Sequence, residues 1–214
     1  MVSVLDLVPV LYSAAVVFEG VRTGRAGAVK FLTIGDASDV VSRADLAVLQ
    51  DLSAAAAYLL KASELPLSAE IVRGINASMT RSAALVPGAL RQAGQGIGVN
   101  TRYGRHEPAA MTDDDVEGLV PEMCAQPSAV DAALTAFIRI SAAQPFGDGN
   151  KRTALMAANH ILIHAGTGQL LMVPHRDNDP ELAEAFHDAL ARAYIFGAEA
   201  PVRSLLLDKG LITV

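Results

Sequence analysis

The chain has 214 residues, 51% of them hydrophobic and 19% charged, with a formal net charge of −6. That balance excludes intrinsic disorder, and an acidic chain with no dense Lys/Arg stripe argues against binding to nucleic acid. The single cysteine, Cys124, excludes an internal disulfide and a cysteine-based zinc cluster, and with no Trp the core falls to Ala, Leu, Val and Ile.

Val4 to Phe18 is apolar enough to suggest a targeting helix. It has no basic segment ahead of it, Asp6 interrupts it, and Glu19, Arg22 and Arg25 follow too soon for a bilayer span. It therefore reads as a buried helix, stopped by Gly20, with no membrane contact and a cytoplasmic location. Thr23 to Asp39 is looser, with Lys30 to Ile34 read as a short extended piece. Ser42 with Asp45 forms a capping box ahead of a helix to Lys61, and Pro66 with Ser68 opens another to about Arg81.

Between residues 86 and 108 the helical pattern breaks at Pro87, Gly88, Gly94, Gly96, Gly98, Gly104 and Pro108. A small β-hairpin near residues 96–107 fits the alternation at Ile97 and Val99 and the loop Asn100–Gly104. It reads either as a connection or as an exposed strand edge, through Ile97 and Val99, for a partner's extended segment. Thr112 with Asp115 caps the next helix, and Pro127 with Ser128 opens an almost wholly apolar one from Ala129 to Ala143. A second such helix runs from Asn150 to Ala165, followed by an amphipathic one from Glu181 to Tyr194 and a short one at Pro201–Leu207. With no repeat or long linker, 1–214 reads as a single mainly helical (all-α) domain with one hairpin.

The densest chemistry lies between the two apolar helices, in Gln144-Pro145-Phe146-Gly147-Asp148-Gly149-Asn150-Lys151-Arg152. Gly147 and Gly149 permit positive φ and a close approach of backbone to ligand. The amides at the start of the following helix, with its dipole, favour an anion. Lys151 and Arg152 at that positive end are costly without a negative partner, and the Asp148 carboxylate could hold Mg²⁺ against phosphate oxygens.

This string resembles the active-site motif of the Fic/Doc family, the Fido fold: Pro145, Phe146, Asp148, Gly149, Asn150 and Arg152 fall in its register. Pro87-Gly88 with Arg91 resembles the stretch before that family's target-docking hairpin, and Glu19-Gly20 the end of its inhibitory helix. The resemblance covers roughly residues 19–207, with helix 4–18 of inhibitory type. It implies a helical fold whose loop, Gly147 to Arg152, binds ATP or another nucleoside triphosphate with Mg²⁺. AMP, or phosphate in the Doc branch, then passes to a hydroxyl of a target protein. By position Asp148 would hold the metal, Asn150 orient the phosphates, Arg152 neutralise developing charge and Phe146 anchor the loop. A protein target on the hairpin and a nucleotide are the implied partners, and a homo-oligomer is compatible with the sequence.

Three departures from the pattern stand out. Gln144 stands where the family has its catalytic His, and an amide orients a hydroxyl but does not take its proton. Lys151 and Leu155 replace a Gly and a second Arg, which makes the motif Doc-like and leaves AMP against phosphate transfer open. Ala15 replaces the Ser or Thr four residues before Glu19, so Glu19 reads as a plain helix-terminal residue, with inhibition through Lys151 or Arg152 the alternative. The chain is thus either a slow transferase or a non-catalytic nucleotide sensor or partner-binding module. Of the remaining residues, His160 and His164 read as partly buried helix residues rather than metal ligands, His106 as a candidate substitute base, and Cys124 as buried or half-buried.

Overall fold

Four helix starts carry the same hydroxyl cap. Ser42, Ser68, Thr112 and Ser128 each accept the amide of the third residue onward, at Asp45, Ile71, Asp115 and Asp131. Each such cap contributes about 1 kcal/mol by satisfying a donor that the helix cannot. In the computed structural model, which describes residues 2–82 and 85–214, they open α3 (Arg43–Ala62), α4 (Ala69–Ala77), α5 (Asp113–Cys124) and α6 (Ala129–Ala143). Before them lie α1 (Val4–Glu19) and α2 (Arg25–Ile34); after them come α7 (Asn150–His164), α8 (Pro180–Phe196) and α9 (Ala200–Leu205).

The chain is mostly helical, and α7 is its axis. Twelve of its residues between Asn150 and Leu162 are buried. Helix α6 packs along it, α1, α3 and α4 cover other sides, and α5 and α8 lean on α6. A helix apolar on nearly all faces has to be enclosed in this way. The loop joining α6 to α7 is therefore held at both ends by the most deeply buried helices of the molecule.

Two short antiparallel sheets complete the fold. Strands β1 (Val99–Thr101) and β2 (Gly104–His106) pair with Val99 opposite His106, and β3 (Gln169–Leu171) pairs with β4 (Leu211–Thr213), which follows a π-helical turn at Leu206–Gly210. The second sheet was not legible in sequence. Two three-residue strands far apart in the chain give no period, and Leu171 and Leu170 are buried against α7 rather than alternating.

Three expectations change. Lys30–Ile34 is not extended but the end of α2, closed by Gly35 at φ 73°. Helix α4 stops at Ala77 rather than near Arg81, because the Arg81 and Ser82 amides turn to donate to Asp51 on α3. Ile97 lies outside the hairpin ladder, which begins at Val99.

Candidate functional site

Gln144 ends α6 in the left-handed conformation (φ 45°, ψ 59°), the one non-glycine with positive φ among the described residues. Its backbone is held there. Buried Arg91 donates from Nε to the Gln144 carbonyl at 2.6 Å, and its own amide donates to the Pro145 carbonyl at 2.9 Å. The same guanidinium donates to the carbonyls of Pro108 and Ala109, just past β2. One arginine thus ties the loop to the root of the hairpin.

Beyond Gln144 the loop closes on itself. Phe146 is fully buried, and the Asn150 side chain accepts its amide and donates to its carbonyl, both at 2.9 Å. The first duty of Asn150 is therefore to hold the loop, which leaves one Nδ2 hydrogen for anything else. Only Gly149 uses positive φ; Gly147 does not, contrary to the sequence reading. A Cβ on Gly149 would lie 3.0 Å from Met79 and 3.2 Å from Asn76. Asn76 itself was missed in sequence. It donates to the Asp148 carbonyl and the Thr153 hydroxyl and accepts the Gly88 amide, joining α4, the loop and α7.

Arg152 is wholly buried, an unusual position for a charge, and three carboxylates surround it. Its Nε lies 2.9 Å from Glu19, its Nη2 3.9 Å from Asp148, and its Nη1 4.0 Å from Asp51. Nη1 donates to the Ser82 hydroxyl, which donates to buried Asp51. Glu19 is thus not a plain helix-terminal residue: it closes over Arg152 from the end of α1. Its approach is one of charge without hydrogen-bond alignment, since Nε and Nη2 find no hydrogen-bond partner among the described residues. The positive helix terminus is balanced in part from within, by Asp148 four residues away and by Glu19 and Asp51, which sequence spacing did not bring together.

Electrostatics follow from this crowding. Burial pushes the Glu19 carboxyl above its ordinary range, with the Arg152 guanidinium pulling the other way. Burial lowers the Lys151 ammonium, with Glu19 opposing; its Nζ lies 5.1 Å over the Phe18 ring. Asp148 keeps an exposed carboxylate beside α7, whose N-terminus has no side-chain cap. These features fit an anion and its metal. Buried guanidinium N–H groups that make no hydrogen bond among the described residues and uncapped first-turn amides suit phosphate oxygens, and Mg²⁺ is commonly held by one carboxylate with phosphate. No three acidic, His or Cys groups are placed to hold a metal ion among the described residues, so Asp148 would be the protein's share.

Next to this loop a cavity of about 810 Å³ opens between β1 and α8. Lys151 is the motif residue on its wall, with Val99 and Arg102 from the hairpin and His187, Asp188 and Tyr194 from α8. Burial, then Lys151, lowers the pKa of His187, so the imidazole is neutral near pH 7. The α8 residues carried no motif signal. They lie more than 30 positions from the loop, and only folding brings them there.

His106 is not free to replace the missing base through Nε2, which donates to the Ala142 carbonyl at 2.7 Å while the ring stacks on Tyr194. His160 and His164 tie α7 to the carbonyls of Leu65 and Ser63, His160 being fully buried. Cys124 is exposed at the end of α5, not buried.

Residues 66–162 match the model of the Fic/DOC family. The Fic/DOC match covers α4 to α7, hence the hairpin, the loop and Arg152. Solved Fic proteins share the fold beyond that stretch. A Fic-domain-containing signaling protein from Bacteroides thetaiotaomicron superposes with a TM-score of 0.70 at 14% identity, over 94% of this chain and 82% of that one. A fragment of Fic-1 from C. elegans gives 0.69 at 17% identity, over 93% of this chain and 59% of that one, so this chain spans less than two thirds of it. No curated protein matches the sequence. The fold likeness extends beyond the matched segment, and no helix among the described residues is long and apolar enough to cross a membrane.

Proposed function

We propose that this chain is a Fic-type nucleotide-binding protein, with triphosphate at the start of α7 and nucleoside in the cavity between the hairpin and α8. The observation that carries it is Arg152, a buried guanidinium whose Nε and Nη2 meet carboxylates but make no hydrogen bond among the described residues, beside an uncapped helix N-terminus. Lys151, on the wall shared by loop and cavity, would lie alongside the phosphates, and Asp148 would hold the Mg²⁺ that neutralises their charge.

In the transfer reading, a target hydroxyl attacks the α-phosphorus, its oxygen forms the new bond, and pyrophosphate leaves. The first motif Arg stabilises the developing charge. The hydroxyl proton has no acceptor at Gln144. Relative to a histidine there, that lowers the rate by about 10²–10⁴-fold. Glu19 adds a second restraint by holding Arg152 away from phosphate oxygens until displaced.

A second reading is a nucleotide sensor without turnover, favoured by the same pair of observations: an amide at the base position and a carboxylate closed on the arginine. Calorimetry with ATP and Mg²⁺, with intact mass and nucleotide products followed in parallel, separates the two. AMP added to protein, rising with Gln144→His, supports the transferase, and ADP with an added phosphate supports transfer in the Doc sense. Binding without turnover until His stands at 144 supports the sensor. If neither the wild type nor Glu19→Gly binds ATP, both readings fail.

A further inference from the structure

The tip of the hairpin is fastened to α8 by one carboxylate. Asp188 accepts the Tyr103 hydroxyl at 2.6 Å and Arg102 Nη1 at 3.0 Å on one oxygen, and Arg192 Nε at 2.9 Å on the other. The Arg192 guanidinium lies 5.0 Å over the Tyr103 ring, and Phe196 meets the same ring edge-on at 5.3 Å. The Tyr103 hydroxyl first, then Arg192, holds the Asp188 carboxyl down at about 2.

An exposed ion pair alone contributes little, and Arg102 is 72% exposed. Three donors converging on one carboxylate, with an aromatic ring between a guanidinium and a second ring, form a network instead. A two-stranded, three-residue hairpin has no independent stability. What holds this one is therefore its root at Arg91, His106 against the Ala142 carbonyl and the Tyr194 ring, and its tip at Asp188. The cavity wall from Val99 to Arg102 runs between those two points.

We infer that Asp188 is a positioning residue whose hold on the hairpin tip forms the cavity, so that ligand in the cavity and closure of the hairpin favour each other. This rests on the nucleotide reading for the ligand but not for the latch. By linkage, a ligand gripped by both walls must order the hairpin by the same factor by which the latch improves its affinity. The outer edges of β1 and β2 stay unpaired in this closed state, so a partner strand could add without opening the latch.

Hydrogen exchange of the 99–106 amides in the full chain tests it, with and without ATP and Mg²⁺, alongside ATP calorimetry. Asp188→Ala should speed hairpin exchange about tenfold and leave α6 and α7 unchanged, because those helices do not depend on the hairpin. Its ATP affinity should fall several-fold, with Asp188→Asn intermediate since it keeps one acceptor for Tyr103. Tyr103→Phe added to Asp188→Ala should do little more, the two being one network. Unchanged hairpin exchange in Asp188→Ala overturns the latch. Faster exchange with unaltered ATP affinity overturns the coupling. If ATP does not bind the wild type, the nucleotide reading falls and hairpin exchange alone still decides the latch.

Discussion

At the scale of single residues, Arg152 and Glu19 set the behaviour of the site. Arg152 is the partner of buried Asp51 through Ser82, so it is a structural group as well as a candidate phosphate ligand. Truncation leaves a buried carboxylate without its cation, which costs about 3–5 kcal/mol. Arg152→Ala should therefore shift the denaturation midpoint strongly, and a variant with unaltered stability would show that Asp51 needs no cation. Glu19→Gly should instead raise ATP affinity without unfolding. Because burial raises the Glu19 carboxyl, it takes up a proton at higher pH than an ordinary glutamate and then loses its hold on Arg152. ATP affinity of the wild type should accordingly approach that of Glu19→Gly as pH falls, a convergence that calorimetry at several pH values checks. Its linkage to folding has the opposite sense. A carboxyl with raised pKa contributes stability below the unfolded value and loses it as pH rises through the folded one.

Elements carry the second set of consequences. The α6–α7 loop is not held by its own glycines alone but by Asn76 from α4 and Arg91 from the segment before the hairpin. Asn76→Ala would strand the Asp148 carbonyl, the Thr153 hydroxyl and the Gly88 amide, with a loss of about 2–3 kcal/mol. Thermal unfolding measures this, and Gly149→Ala should also destabilise, since it puts a Cβ at φ 73° and 3.0 Å from Met79. Helix caps and the borders of α6 were legible in sequence, because Ser128 and Asp131 are local signals. Arg91 was visible only as part of a resemblance, and Asn76 not at all. A buried Asn that bridges three segments looks like any other polar residue until its partners are known.

Across the whole molecule, α7 joins the site to the far side of the fold, where His160 donates to the Leu65 carbonyl from a fully buried position. Burial, the largest cause, lowers its pKa from 6.5. The sign is then fixed: a base depressed in the folded state contributes its stability above the unfolded pKa and loses it as pH falls through the folded one. The melting temperature should drop on acidification below about pH 6.5, and His160→Gln, which keeps a donor for Leu65, should flatten that slope. Equal slopes would mean that other groups dominate acid sensitivity.

Two kinds of information thus divide this protein. The sequence by itself determined a helical domain, the capped helices, the hairpin and the nine-residue junction with Gln144 in place of a base, because each is written in neighbouring residues through period, cap or turn chemistry. Only the tertiary structure decided that Glu19, Asp51 and Asp148 surround Arg152, and that Asp188 on α8 holds a hairpin more than 80 residues earlier. Apart from Asp148, four residues before Arg152, these are contacts between distant segments, selected by how apolar faces pack around α7. A local pattern has no way to encode which charge will be buried beside which.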